Sequence, residues 1–264
     1  MPCIVYSELD SVSVGIGNAL IGIGEFEKSA AFGKLPDALH FTSGSVGADM
    51  IAVRTPLIEA EYLDRINADV LVFLSRHSSE KGVPSFTVHA TGNWSGEAKL
   101  GGKPGELSVA APLYMRAVLY ALSTTNNDAA MTVTYEATHH GPLLNTPSLF
   151  VEIEKNSYTK ERAETVANAV VAAMRNIESM QVAIGIGGMH YSQKFTALAL
   201  SGKYAFGHIM SKYYIDNTDM LIKAAERSEP KATKAVIEWK SINSIKRTNV
   251  LDALEKAGIQ YEKA

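Results

Sequence analysis

The chain has 264 residues, 46% of them hydrophobic and 20% charged, with a formal net charge of −3. That balance excludes a disordered chain and a broadly basic nucleic-acid-coating protein, so any contact with RNA has to use a local basic patch. The single cysteine, Cys3, excludes an internal disulfide and a cysteine-based zinc motif, and within Cys3-Ile4-Val5-Tyr6 it reads as a buried packing thiol.

In chain order, Ile4–Tyr6 reads as a first strand. Thr55 can cap a helix with Pro56 at its first position, running to about Ile66. The continuous apolar run Ala68–Leu74 predicts a centrally buried strand, and Phe86–His89 a shorter one. Leu113–Leu122 is apolar nearly all round and predicts a buried helix. Met131–Glu136 and Leu149–Ile153 read as strands. In Lys160–Ile177, Ala163, Val166, Val170, Met174 and Ile177 recur at helical spacing, and Val182–Ile186 reads as a strand. Helices follow at Met220–Arg227 and Val250–Lys256, the last ended by Gly258. The longest apolar stretch, Leu107–Leu122, is broken by Pro112 and Arg116 and falls short of the ~20 residues that span a bilayer. No secretory leader is visible, so a soluble cytoplasmic protein is expected. Strands alternating with helices predict a single α/β domain over 1–264, with a mixed or largely parallel central sheet flanked by helices. The pattern does not give strand order.

Six of the seven histidines fall in short strings after apolar runs, a placement that suggests ligand-facing strand ends. Thr138-His139-His140-Gly141-Pro142 follows a strand and is turned by Gly141-Pro142. Strand alternation puts one of the two imidazoles toward a cleft and leaves the other to orient or pack. Gly185-Ile186-Gly187-Gly188-Met189-His190 reads as a backbone nest for a phosphate or oxyanion, with His190 at its rim; it lacks the P-loop ending and the full dinucleotide-binding spacing. After the most apolar strand come Ser75, His77 and Arg76, whose fork suits a phosphate or carboxylate. His89 shares a strand face with Thr87, and Trp94 reads as a core aromatic. Glu152, inside an apolar strand, needs a partner or a metal; Glu154 shares its face and is read as exposed. His208 reads as a satisfied structural histidine, and His40 stands apart without a role.

Taken together, these strings resemble the archaeal and plant type of D-aminoacyl-tRNA deacylase. The matching elements are Ser75-Arg76-His77, Thr87-Val88-His89, Gly92-Asn93, Ala137 to Pro142, Pro147 to Glu152, Gly187 to Tyr191, Lys194-Phe195-Thr196 and Phe206-Gly207-His208. They occur in the family's order over most of the chain. Met189 stands where the family pattern has a third glycine. The resemblance implies an α/β fold similar to phosphorylases and peptidyl-tRNA hydrolases. It also implies zinc, and hydrolysis of the ester between a D-amino acid and the terminal ribose of tRNA.

On that reading His139, His140 and His190 are the catalytic candidates, and His77, His89 and Glu152 the metal ligands. Arg76, Gly187, Gly188 and Lys194 are the substrate-binding candidates. The partner is aminoacylated tRNA, with no membrane and no protein partner, and the chain is a monomer or small homo-oligomer. Two alternatives stay open. One is a phosphorylase or phosphohydrolase that holds phosphate at Gly187 and Gly188. The other is a non-catalytic tRNA-binding module using Lys99, Lys103, Lys240, Lys246 and Arg247, residues otherwise read as solvated surface.

Overall fold

The protein is described from a computed structural model over residues 1–23, 25–30, 35, 38–79 and 82–264. The elements, in chain order, are β1 (Cys3–Ser7), α1 (Ser11–Gly22), β2 (Glu27–Lys28), β3 (Leu39–Ser43), β4 (Ala48–Val53), β5 (Leu71–His77), β6 (Ser85–His89), α2 (Pro112–Thr125), β7 (Thr132–Tyr135) and β8 (Ser148–Glu154). Then come α3 (Lys160–Arg175), β9 (Val182–Ile186), α4 (Gln193–Leu200), β10 (Ala205–Met210), α5 (Met220–Glu226), β11 (Lys234–Ile237), α6 (Ser244–Lys256) and β12 (Gln260–Lys263).

Among the described residues two sheets form, an eight-stranded one in the order β2-β3-β4-β1-β5-β8-β6-β7 and a four-stranded one in the order β10-β9-β11-β12. The smaller sheet is parallel throughout. In the larger one β4, β1, β5 and β8 run parallel, while β6 is antiparallel to β8 and parallel to β7. The fold is therefore α/β with a mixed, largely parallel sheet, as the alternation of elements predicts. β1 and β5 sit in its centre, which is why both read as unbroken apolar runs.

The two faces of the larger sheet are covered differently. Ile4, Val72, Val88 and Val151 pack under α1, α2 and α3. Val5, Phe73 and Phe150 face Leu57, Leu63 and Leu144, which come from loops and short turns. The predicted helix from Thr55 to Ile66 is here replaced by two 3-10 turns, Leu57–Glu59 and Glu61–Arg65. Tertiary contacts account for the break. Glu61 accepts from the Leu143 N–H, and Asp64 accepts from the Asn145 and Thr146 N–H groups, so both side chains clamp the loop ahead of β8.

Helix α1 gives no helical signal in the sequence, because Val12, Val14 and Ile16 alternate as in a strand. It is capped by Asp10, whose carboxylate accepts from Val12 and Ser13 N–H. It lies against β1 because Gly17 has no Cβ: one built there would sit 2.9 Å from the Tyr6 ring. Helix α6 starts six residues ahead of the predicted Val250, capped by Asn243. The segment after β7 joins the two sheets. Glu136 N–H donates to Val88 O, Ala137 N–H to His190 O, and Thr138 N–H to Ile209 O.

Candidate active site

Strand register builds the floor of the site. Ser75 and Thr87 stand opposite Glu152, His77 opposite Glu154, and His89 opposite Phe150. Paired residues share a face, so His77, Thr87, His89 and Glu152 all project from the face that α1–α3 leave uncovered. The sequence suggested a row of strand ends. Instead the imidazoles meet on a sheet face, because β6 runs antiparallel to β8 and the carboxyl ends of β5 and β6 point in opposite directions. Glu154 is also on this face and is buried rather than exposed; its carboxylate accepts from the N–H and side chain of Asn156.

The bridging segment supplies the rest: Glu136, buried, then His139 and His140. Both imidazoles face the same side, and their ring centroids lie 4.4 Å apart. The alternation expected of adjacent strand residues fails because His140 takes a left-handed backbone, with φ at +44°. His190 is drawn in by the Ala137–His190 backbone bond, its ring centroid 4.7 Å from that of His139. Two cavities meet at this point. One, of about 320 Å³, is walled by Asn93, Trp94, Lys99 and Tyr214. The other, of about 560 Å³, is walled by Asp10, Leu57, Ile58 and Arg76. Leu100, His139, His140 and His190 line both.

Proton positions follow from the partners. A backbone carbonyl can only accept. His89 Nδ1 lies 3.1 Å from Ala90 O, His139 Nδ1 2.9 Å from Ala137 O, and His140 Nδ1 2.5 Å from Gly141 O. In the neutral rings Nδ1 therefore carries the proton, and all three present an Nε2 lone pair. His77 is different: Nδ1 is aligned on Glu152 Oε2 at 3.3 Å, and Nε2 accepts from the Tyr191 hydroxyl at 2.9 Å. Glu136 Oε1 also lies 3.1 Å from His77 Nδ1, but out of hydrogen-bond alignment. His89 Nε2 and both carboxylate oxygens of Glu136 are buried without a hydrogen-bond partner.

Burial, reinforced by the charge on Glu152, pushes the Glu136 pKa well up. Burial acts on Glu152 in the same direction, but the hydrogen bond from His77 leads the contacts that outweigh it and hold that carboxyl low. Burial and the neighbouring imidazoles lower His139 well below its ordinary range and bring His140 and His190 down to about 4. At neutral pH His139, His140 and His190 are thus neutral imidazoles beside two buried carboxyl groups.

Among the described residues, three overlapping groups hold their ligand atoms within 4.8 Å of one another: His89–His139–His140, Glu136–His139–His190 and His77–Glu136–Glu152. The first suits zinc best. Its three imidazoles have Nδ1 anchored on backbone carbonyls and Nε2 free, the usual arrangement of ligating histidines. The partnerless buried atoms of His89 and Glu136 point the same way.

Of the residues singled out from sequence, His77, His89, His139, His140, Glu152 and His190 converge, and Arg76 lines the larger cavity. Gly187, Gly188 and Lys194 line neither cavity. Gly187 N–H donates to Met210 O and Gly188 N–H to Ser241 Oγ, so neither glycine offers a free donor to the expected nest. Positive φ at both glycines instead seats the turn on Glu238–Ser241. Lys194 lies exposed in the first turn of α4. The basic residues that might have made an RNA-binding face are largely engaged: Lys99 pairs with Glu97, Lys246 with Asp216, and Arg247 stacks on Trp239. Trp94 is core, donating to Thr138 O. Glu136 and Tyr191 were missed. The available signal was an acidic residue closing a strand three positions before a histidine pair.

An α/β fold that gathers imidazoles and buried carboxyl groups where two cavities meet presents a candidate enzyme active site. Residues 64–262 match the family model of the D-aminoacyl-tRNA deacylases. The chain is 34% identical to the D-aminoacyl-tRNA deacylase of Pyrococcus furiosus, covering 100% of both chains. It is 41% identical over 197 residues to that of Ignicoccus hospitalis, covering 73% of this chain and 80% of the relative. The crystal structure of a conserved protein of unknown function, AF0625, is similar at a TM-score of 0.90 and 33% identity, covering 100% of this chain and 95% of the other. The chain belongs to the D-aminoacyl-tRNA deacylase family.

Proposed function

We propose that this protein hydrolyses the ester linking a D-amino acid to the terminal ribose of tRNA, with the cluster at the junction of the two cavities as its catalytic centre. The observation that carries this reading is that His139, His140 and His190 line both cavities. A two-part substrate can therefore lay its ester across them. An aminoacyl ester is already activated, so a positioned water, a base and charge stabilisation suffice.

His190 is the best-placed base. Its Nδ1 and Nε2 are not tied to backbone carbonyls, it is 41% exposed, and its Nε2 lies 3.6 Å from Glu136 Oε2. Unprotonated at neutral pH, it accepts a proton from the attacking water while the hydroxyl adds to the ester carbonyl. As the carbon–oxygen bond to ribose breaks, the proton passes to the ribose oxygen, leaving free amino acid and tRNA. Glu136 Oε2 stands 3.6 Å from His190 Nε2 and 3.7 Å from His139 Nε2 and positions both rings; Glu152 keeps His77 oriented, and Tyr191 fixes its tautomer. His89, His139 and His140 would hold zinc, with Glu136 and Glu152 beside them. This differs from the ligand set His77, His89 and Glu152, because both ring nitrogens of His77 are engaged. When bound, zinc supplies Lewis acidity toward an oxygen of water or of the ester.

The test is incubation of D- and L-aminoacyl-tRNA with metal-free and zinc-restored protein, with parallel elemental analysis. Release of D-amino acid only, rising with zinc uptake, is expected. Equal hydrolysis of both forms would remove the stereochemical part, and full activity in metal-free protein would remove the zinc part. The basic-module alternative predicts no release at all. The phosphorylase alternative predicts a need for inorganic phosphate.

A further inference from the structure

The cavity on the Trp94 side opens onto a ledge that catalysis does not use. After β10 ends at Met210, the chain turns through Ser211–Tyr214. Ser211 and Tyr214 form part of the cavity wall together with His139, His140 and His190. Tyr213 and Tyr214 are nonetheless 60% and 39% exposed and adjacent in the chain. Lys212 Nζ stands 5.6 Å from the Tyr213 ring centroid. Tyr213 Oη donates to Met189 Sδ at 3.4 Å, and Met189, itself exposed, is the residue before His190. The ledge therefore runs without a break from the catalytic histidines outward.

Adjacent exposed phenols, a cation over one of them and a polarisable thioether beside it make a stacking platform for unpaired bases. The other cavity is unlike this. Its walls include Leu9, Pro56, Leu57 and Ile58, with Arg76 against the carboxylates of Asp10 and Glu152. Apolar walls and a carboxylate suit an amino-acid side chain and its α-ammonium better than a nucleotide. Because the ester must lie at the histidines common to both cavities, the two halves of the substrate are forced to opposite sides.

We propose that the Tyr213–Tyr214 ledge and its cavity take the unpaired nucleotides at the 3′ end of tRNA, with the terminal adenosine against Tyr214 and the preceding base on Tyr213 and Lys212. The aminoacyl group then enters the Leu57–Asp10 cavity. This assignment rests on the deacylase reading. It also accounts for how an acidic chain can hold RNA: stacking carries the recognition, and few phosphate contacts are needed.

The experiment compares wild type with Tyr213→Ala/Tyr214→Ala and Tyr213→Phe/Tyr214→Phe double variants. Two readouts are taken: kinetics on D-aminoacyl-tRNA, and fluorescence anisotropy of a labelled single-stranded RNA ending in CCA. Both tyrosines are exposed, so folding should survive, and circular dichroism checks it. Stacking energies translate to a rise of roughly 10–100-fold in KM and in RNA Kd for the alanine variant, with the effect on KM far exceeding that on kcat. The phenylalanine variant, which keeps both rings, should retain most of the affinity. A folded alanine variant with wild-type KM and RNA affinity overturns the ledge. An equal loss in the phenylalanine variant overturns the stacking basis. Wild-type protein that leaves D-aminoacyl-tRNA intact overturns instead the activity on which the assignment rests.

Discussion

His89 and His208 are both wholly buried on strands, yet they belong to different kinds of region. His208, in the middle of β10, has every valence filled. Nε2 donates toward Ser108 O and Arg227 O at 3.0 and 3.1 Å, and Nδ1 lies 3.2 Å from the Thr138 hydroxyl. His89, at the end of β6, has only Nδ1 satisfied, and its Nε2 lone pair faces Glu152 Oε2 at 3.5 Å with no donor between them. Burial is equal; the leftover valence is not. An unfilled buried polar atom is costly, so its presence beside Glu136, also unfilled, marks where a proton, a metal or a substrate belongs. The region around His208 pins β10 to the bridging segment through Thr138.

The sharpest way to break this contrast is to exchange chemistry for structure in each region. His190→Ala should lower kcat by about 10²–10⁴-fold in folded protein, and Glu136→Ala, which removes the carboxyl group behind that ring, should lower it as well. Single-turnover hydrolysis at wild-type rates in both would end the cluster's catalytic role. His139→Ala and His140→Ala should both lose activity and zinc stoichiometry, since the two rings face the same side; retention of bound zinc in both by elemental analysis would contradict the proposed ligands. His208→Ala should do the reverse. Each buried partner it strands costs about 1–3 kcal/mol, seen as a lower urea midpoint, while kcat of the folded fraction stays unchanged.

Acid separates the regions further. Burial lowers His208 from 6.5 to about 4, so the unfolded chain takes up this proton first. The stability that His208 contributes is complete above its unfolded pKa of 6.5 and is lost as pH falls toward about 4. Urea unfolding across that window should show a shallower decline in His208→Gln than in wild type, and parallel curves would refute the assignment. Gly188→Ala tests whether the glycine pair serves the ligand or the fold. Its positive φ costs an added Cβ about 1–2 kcal/mol, and that Cβ would meet Glu238 Oε2. A drop in melting temperature with kcat intact is expected, whereas a loss of kcat without destabilisation would restore the oxyanion nest. Smallest of all, Lys194→Ala should change stability by no more than about 0.5 kcal/mol and leave KM alone.

Much of the candidate site is legible in the sequence because its residues sit at strand ends or on alternating strand positions, where apolar runs and turn residues announce themselves. His77, His89, Glu152 and the histidine pair were found this way, and β9 falls where its apolar run predicts. Glu136 was not found, because a glutamate closing a strand reads as a solvated end until the bridging segment buries it. The glycine pair, expected to face a ligand, donates its N–H groups to Met210 O and Ser241 Oγ, because backbone freedom in sequence does not say whether the N–H groups face a ligand or a neighbouring turn.

What the sequence determined alone is the alternation of buried strands and amphipathic helices, and the inventory of imidazole and carboxyl groups beside them. Those follow from local periodicity and turn chemistry. Only the tertiary structure decided the rest. The antiparallel insertion of β6 turned strand ends into one face of the candidate site, and the left-handed backbone of His140 put both histidines on one side. The stitch between Ala137 and His190 brought the second sheet's histidine to the first sheet's glutamates. Each depends on pairing between segments far apart in the chain, and no local pattern encodes which pairs will form.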